Sequence, residues 1–261
     1  GVIDEMKHIY AFETPYEAVK YLEIIESFKV KLNEFKALLE KEYELNDSPR
    51  GFIWTPGDIA TSVFSDVPIP AYTNRHLVYM TPDIMEWRNF FMNIYGNVEN
   101  EVIKDFYRNF KEEDILTIAG HEMVHHIDLF PDEFDEERES IWFEEGMCDY
   151  IARKNLMTPE SFETITKVES AVVAYFNEKF GSRSIDQFGT DSYSNDITSI
   201  MFDYCRSFLT IQYLVEEQAN NNPLEVFKRY NQWHEAGRKE PLSTYFNVEN
   251  LFISLDKESI I

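Results

Sequence analysis

His121, Glu122 and His125 stand in the order His-Glu-Met-Val-His. Side chains four apart on an α-helix share one face, a turn from each other. Two imidazoles so placed can bind one Zn2+ at about 2.0–2.1 Å each. Glu122 then projects beside the metal, where its carboxylate can take a proton from water at an open position. Zinc lowers the pKa of that water towards ~7, and the carboxylate completes the deprotonation. Ala119, Gly120, Met123 and Val124 around these residues are small or uncharged, as a helix buried under a cleft requires.

A catalytic zinc takes a third protein ligand and keeps its fourth position open. Two carboxylates stand together in Trp142-Phe143-Glu144-Glu145-Gly146-Met147. Glu145 is the better candidate on two grounds. Asp149 lies four residues beyond it, on the same helical face, where it can accept the free N–H of a metal-bound histidine and fix its tautomer. Gly146 directly after it lets another segment approach closely. Four beyond Glu144 is Cys148, a poor acceptor for that N–H, which leaves Glu144 as the alternative ligand or in a supporting or surface role.

His121-Glu122-x-x-His125 followed by Trp142-Phe143-Glu144-Glu145-Gly146 resembles the gluzincin zinc metallopeptidases. The His-to-Glu gap and the Asp one turn beyond Glu145 are similar to thermolysin. The Trp-x-x-Glu-Gly wording looks more like aminopeptidase-N relatives, bacterial collagenases and the broader peptidase MA-like group. In aminopeptidase relatives the gap is one residue shorter, which points to Glu144. The resemblance covers about 115–155 and extends loosely to about 218; residues 1–110 match no family.

The resemblance implies a zincin-like catalytic core, bound Zn2+, and hydrolysis of peptide bonds in a peptide or protein substrate. Glu122 is then the base, His121, His125 and Glu145 hold the metal, and Asp149 orients His121. A hydrogen-bond donor for the developing oxyanion is also implied. Tyr204, in Phe202-Asp203-Tyr204-Cys205-Arg206, is the first candidate, Tyr193 the second and His234 the third. Peptide would add as a strand along a sheet edge within 66–80, where Ala71-Tyr72-Thr73 precedes a strand at 76–80. The aminopeptidase signature Gly-x-Met-Glu-Asn is absent, which tilts the expectation to an endopeptidase. The alternative is a catalytically inactive zinc-binding module of the same type, acting as a sensor or partner-binding protein.

The elements that must position these residues are mostly helical. Residues 15–46 read as one long helix, capped by Thr14 with Pro15 in its first turn. Tyr16, Val19, Leu22, Ile25, Phe28 and Leu32 are its apolar stripe. Between 47 and 82, Pro and Gly interrupt short β-prone pieces at 51–54, 61–64 and 76–80, which predicts a small sheet. Residues 83–110 return to helix, with Trp87, Phe90, Phe91, Ile94 and Tyr95 facing the core. Glu112, Glu113 and Asp114 start the helix that carries the histidines, and Pro131 ends it. Further helices are expected from Ser140, over 159–179 and 197–218, and near 223–236. The fold class expected is α+β, mostly helical, with a small N-terminal mixed sheet. An N-terminal lobe over 1–110 would meet a helical zinc-binding lobe over 111–261 at a cleft.

A net charge of −24 repels phosphate backbones and anionic headgroups, which argues against nucleic acid as a partner. No run approaches the ~18 apolar residues of a membrane span. Cys148 and Cys205 do not make a disulfide framework, although one bridge between them is left open. His126 points about 100° away from His125 and reads as a core or surface residue, as do His8 and His76. Arg206 reads as a helix-face ion pair or a carboxylate clamp. The chain starts at Gly1 and shows no signal peptide, so its compartment is left open.

Overall fold

The Pro and Gly breaks between residues 47 and 82 leave room only for short strands, and the sheet is correspondingly small. The computed structural model describes residues 6–62, 69–134, 140–189 and 197–253. Four strands, β1 (Lys7–Tyr10), β2 (Gly51–Trp54), β3 (Ala71–Thr73) and β4 (Leu77–Met80), form one mixed sheet in the order β1-β2-β4-β3. β1, β2 and β4 run parallel, and β3 closes one edge antiparallel to β4. The β3–β4 turn is held by Asn74, whose Oδ1 accepts from the backbone of His76 and Leu77 at 2.9 Å each. Thr61 and Ser62, in a piece read as β-prone, instead end helix α3 (Gly57–Ser62); Val63 and Phe64 lie outside the described residues.

The long N-terminal helix is divided. Thr14 caps α1 (Pro15–Lys20) by accepting from the Glu17 N–H. The chain breaks at Tyr21, whose hydroxyl bonds Asp83, and resumes as α2 (Leu22–Glu42). Only the second half of the expected stripe is core. Ile25, Phe28 and Leu32 are buried together with Phe35 and Leu39, whereas Tyr16 is 86% and Val19 66% exposed. Residues 83–110 likewise make two helices, α4 (Ile84–Tyr95) and α5 (Glu101–Arg108). Trp87, Phe91 and Tyr95 pack with Tyr107 and Phe110, the Phe91 and Tyr107 rings 4.5 Å apart. Burying each such ring contributes about 1.5–3 kcal/mol.

The helix of the two histidines is α6 (Glu112–Val124), followed by α7 (Ile141–Leu156), α8 (Pro159–Phe180), α9 (Ile197–Tyr213), α10 (Pro223–Glu235) and the short α11 (Leu242–Tyr245). α9 runs into a π-helical turn over Leu214–Gln218. Chain contacts gather into two compact units. The first is drawn from Gly1–Asn97, Lys104–Asp128 and Ile151–Met157, the second from Val98–Ile103, Leu129–Tyr150 and Thr158–Ile261. The first holds the sheet, α2, α4 and α6. The second is built on the α8–α9 pair and on an aromatic cluster in which Phe143 stacks on Tyr230 at 4.0 Å and on Phe246 at 5.8 Å. Cys148 and Cys205 are both buried and are not joined in a disulfide. Among the described residues no helix is long and apolar enough to cross a membrane.

Candidate metal centre

Asp114 is the start signal of α6. Its carboxylate accepts from the Lys111 N–H at 2.9 Å, closing the first turn next to the positive end of the helix dipole. Burial pushes the Asp114 carboxyl up, and the Lys111 N–H bond opposes the rise. From there almost every residue to Val124 is buried, so α6 is enclosed on all sides rather than amphipathic. A Cβ on Gly120 would meet Leu156 at 2.4 Å, Phe35 at 3.2 Å and Ala152 at 3.4 Å. The glycine lets α6 lie flush against α2 and the end of α7, one residue before His121.

α6 stops earlier than the Pro131 signal implies. After Val124 the chain tightens to bonds three residues apart, His126 N–H to Met123 O and Ile127 N–H to Val124 O. Asp128 N–H leaves the helix altogether for Glu44 O at 3.0 Å. His125 is therefore the cap residue, but it keeps helical angles, φ −55° and ψ −20°. The one-turn spacing to His121 survives. The two Nε2 atoms lie 3.2 Å apart, with the rings inclined at 70°.

That separation suits a shared ion. Two nitrogens at about 2.0–2.1 Å from a tetrahedral metal stand roughly 3.3–3.4 Å apart. Both histidines and Glu122 are buried. Buried His, Glu and Cys side chains are grouped closely enough to hold a metal ion, in two sets that share His125. Ligand atoms of His121, His125 and Cys148 all lie within 4.8 Å of one another, and so do those of His125, Glu144 and Glu145. Glu144 is buried and Glu145 half-buried. Asp149 is half-buried on α7, one turn beyond Glu145.

The start of α7 is firmly held. The Trp142 indole donates to Asp186 at 3.0 Å, and Asp186 also accepts from the backbone and hydroxyl of Ser243. Gly146 faces α9, where a Cβ would sit 2.4 Å from the Ser207 carbonyl oxygen. The close approach that a glycine beside Glu145 permits is thus made by α9. One turn earlier on α9 stands Tyr204, half-buried, its ring edge-on to Phe188 at 5.1 Å. Asp203 and Arg206 beside it are buried. The Asp203 carboxylate receives Arg206 at 2.9 Å and Arg183 at 2.8 Å, so Arg206 is an ion-pair residue. Tyr193 lies outside the described residues. His234, on α10, accepts at Nδ1 from Arg238 at 3.0 Å.

Two features were not singled out from sequence. By its sequence Cys148 reads as a poor acceptor one turn beyond Glu144 or as one end of a bridge to Cys205, although its offsets of three and four from the two glutamates already place it on their face. His126 is buried, and its Nε2 lies 2.7 Å from Thr73 Oγ1 on β3. No short-range pattern joins residues 53 positions apart. No family model, curated protein or solved structure matches this chain.

Proposed function

We propose that this protein is a zinc-dependent metallopeptidase of the gluzincin type, acting as an endopeptidase. One observation carries the reading: two imidazole nitrogens 3.2 Å apart on a buried helix, with a buried glutamate next to the first. His121, His125 and Glu145 would hold the metal, with Asp149 fixing the tautomer of His121. Bound zinc would polarise the scissile carbonyl and make water acidic enough to attack near neutral pH. Glu122 takes the proton of the attacking water and returns it to the leaving amine. Tyr204 steadies the charge that develops on the carbonyl oxygen. Substrate lies as an added strand along β3, the antiparallel edge packed against α6.

The test begins with metal analysis of wild-type protein beside Glu145→Gln and Glu144→Gln. About one zinc per chain, lost with Glu145→Gln and kept with Glu144→Gln, supports the ligand set. Cleavage of β-casein, used as an unstructured probe, then supports the activity. A wild-type protein that takes up no zinc after reconstitution sinks the reading.

A second reading, a zinc-binding module without catalysis that serves as a sensor or partner-binding protein, is favoured by Cys148. Its sulfur lies with both histidines, and four protein donors would close the position that a hydrolase keeps open. Cobalt-substituted protein separates the two. A strong near-ultraviolet thiolate band that vanishes in Cys148→Ala, together with intact β-casein, supports the closed site. Cleavage without such a band supports the peptidase.

A further inference from the structure

We infer that His126 is a positioning residue that ties the edge strand β3 to the end of the histidine helix. It thereby sets where a bound peptide lies relative to the metal. The inference rests on the metallopeptidase reading for its consequence, while the tie itself is geometric.

Three observations lead there. His126 directly follows His125, in the tight turn that ends α6, and its Nε2 reaches Thr73 Oγ1 at 2.7 Å. The Thr73 hydroxyl has one proton, and two carbonyls lie within its reach, Asn74 O at 3.0 Å and Leu77 O at 3.2 Å. Nε2 of His126 is the third and nearest group in reach of that hydroxyl, so which of the two donates follows the imidazole tautomer, and the tie holds either way. The bond is part-buried, where water replaces a lost partner less readily than at the open surface.

The second observation is the direction of the β3 backbone. Asn74 N–H bonds Leu77 O, Thr81 N–H bonds Pro70 O, and Tyr72 stands opposite Tyr79. Alternate residues of an antiparallel strand turn their backbone groups to the partner. Residues 70, 72 and 74 therefore face β4, and Ala71 and Thr73 present N–H and C=O to the outer edge. Among the described residues no strand pairs with that edge. Thr73 is thus one of two residues that would hydrogen-bond an added strand, and its side chain is the one His126 holds.

The third is stiffness. Asn74 closes the β3–β4 turn through two backbone bonds and donates from its amide to the Tyr79 hydroxyl at 3.2 Å. The hairpin is anchored through β4 to β2, so cutting the tie at Thr73 leaves β3 as the part free to shift. A shift of about 1 Å in a reacting group is enough to slow a step by roughly 100-fold.

The experiment compares wild type with His126→Ala, His126→Gln, Thr73→Val and the double variant His126→Ala/Thr73→Val, all loaded with zinc. The probe is a fluorophore–quencher peptide that spans the first bond the wild type cleaves in β-casein. We expect unchanged zinc content and a kcat lowered about 10- to 100-fold in His126→Ala, with KM within about threefold of wild type. His126→Gln, whose amide reaches the same point as Nε2, should recover most of the loss. Thr73→Val should match His126→Ala, and the double variant should be no worse than either. Amide exchange over residues 69–80 should be faster in His126→Ala. Wild-type kcat in His126→Ala, or no rescue by His126→Gln, overturns the positioning role. Unchanged exchange overturns the tie itself, a result that needs no activity. A wild type that neither binds zinc nor cleaves β-casein counts against the peptidase reading instead, and exchange still decides the tie.

Discussion

At the scale of single residues, the centre turns on side chains that have no reason to be buried unless they are occupied or paired. Uncompensated burial of charge is expensive, and α6 buries His121, Glu122 and His125 within two turns. Removing the charge of Glu122 therefore separates binding from chemistry. Glu122→Gln should keep about one zinc per chain and lose roughly 10^2- to 10^4-fold in kcat, which metal analysis and peptide kinetics check together. A parallel loss of metal would make Glu122 a ligand and not a base. His126 shows how neighbours diverge: one residue past a metal-ligand candidate, its ring is committed to a strand far away in sequence.

At the scale of elements, two glycines set how closely helices meet, and they do so against different neighbours. The virtual Cβ of Gly120 strikes the end of the Leu156 side chain, which can rotate away. That of Gly146 strikes the Ser207 carbonyl on α9, which is backbone and cannot. Alanine gains about 1 kcal/mol over glycine inside a helix. Gly120→Ala should thus be near neutral in thermal unfolding, while Gly146→Ala should lose about 2 kcal/mol or more. Equal effects would show that α9 yields easily. The Asp203 carboxylate between Arg183 and Arg206 holds the same stretch of α9. Breaking one partner of a buried ion pair is strongly destabilising.

At the scale of the whole molecule, charge and acid sensitivity dominate. A net charge of −24 sets the folded chain against itself, and screening relieves the repulsion. Raising sodium chloride from about 0.02 to 0.2 M should raise the melting temperature by a few degrees; a fall would show that local ion pairs outweigh the net repulsion. His8 adds a pH term. Burial beside Phe52 and Trp54, with Lys29 nearby, lowers its pKa to about 4. Nδ1 accepts from the Trp54 indole, and Nε2 is buried without a partner. The unfolded chain binds that proton near pH 6.5, so His8 contributes stability above 6.5 and loses it as pH falls towards 4. Its half-exposed ring limits the effect to no more than about 2 kcal/mol. His8→Gln should show a flatter loss of melting temperature between pH 6.5 and 4.5 than wild type, and identical slopes would refute the assignment.

Local patterns in the chain were enough to place the histidine pair on one helix face, to call for a small sheet between 47 and 82, and to start α7, α8 and α10 near their observed first residues. These are matters of short-range spacing and capping, which a single sequence carries. Where elements stop was decided elsewhere. The stripe from Tyr16 to Leu32 promised one continuous helix, but Tyr21 finds Asp83 and the outer half stays exposed. α6 ends at Val124 because Asp128 takes a carbonyl from Glu44. Cys148 beside both histidines and the bond from His126 to Thr73 depend on packing between segments far apart in the chain. Periodicity reports which face of a helix is apolar, whereas only the folded chain decides which residues share that face's neighbours.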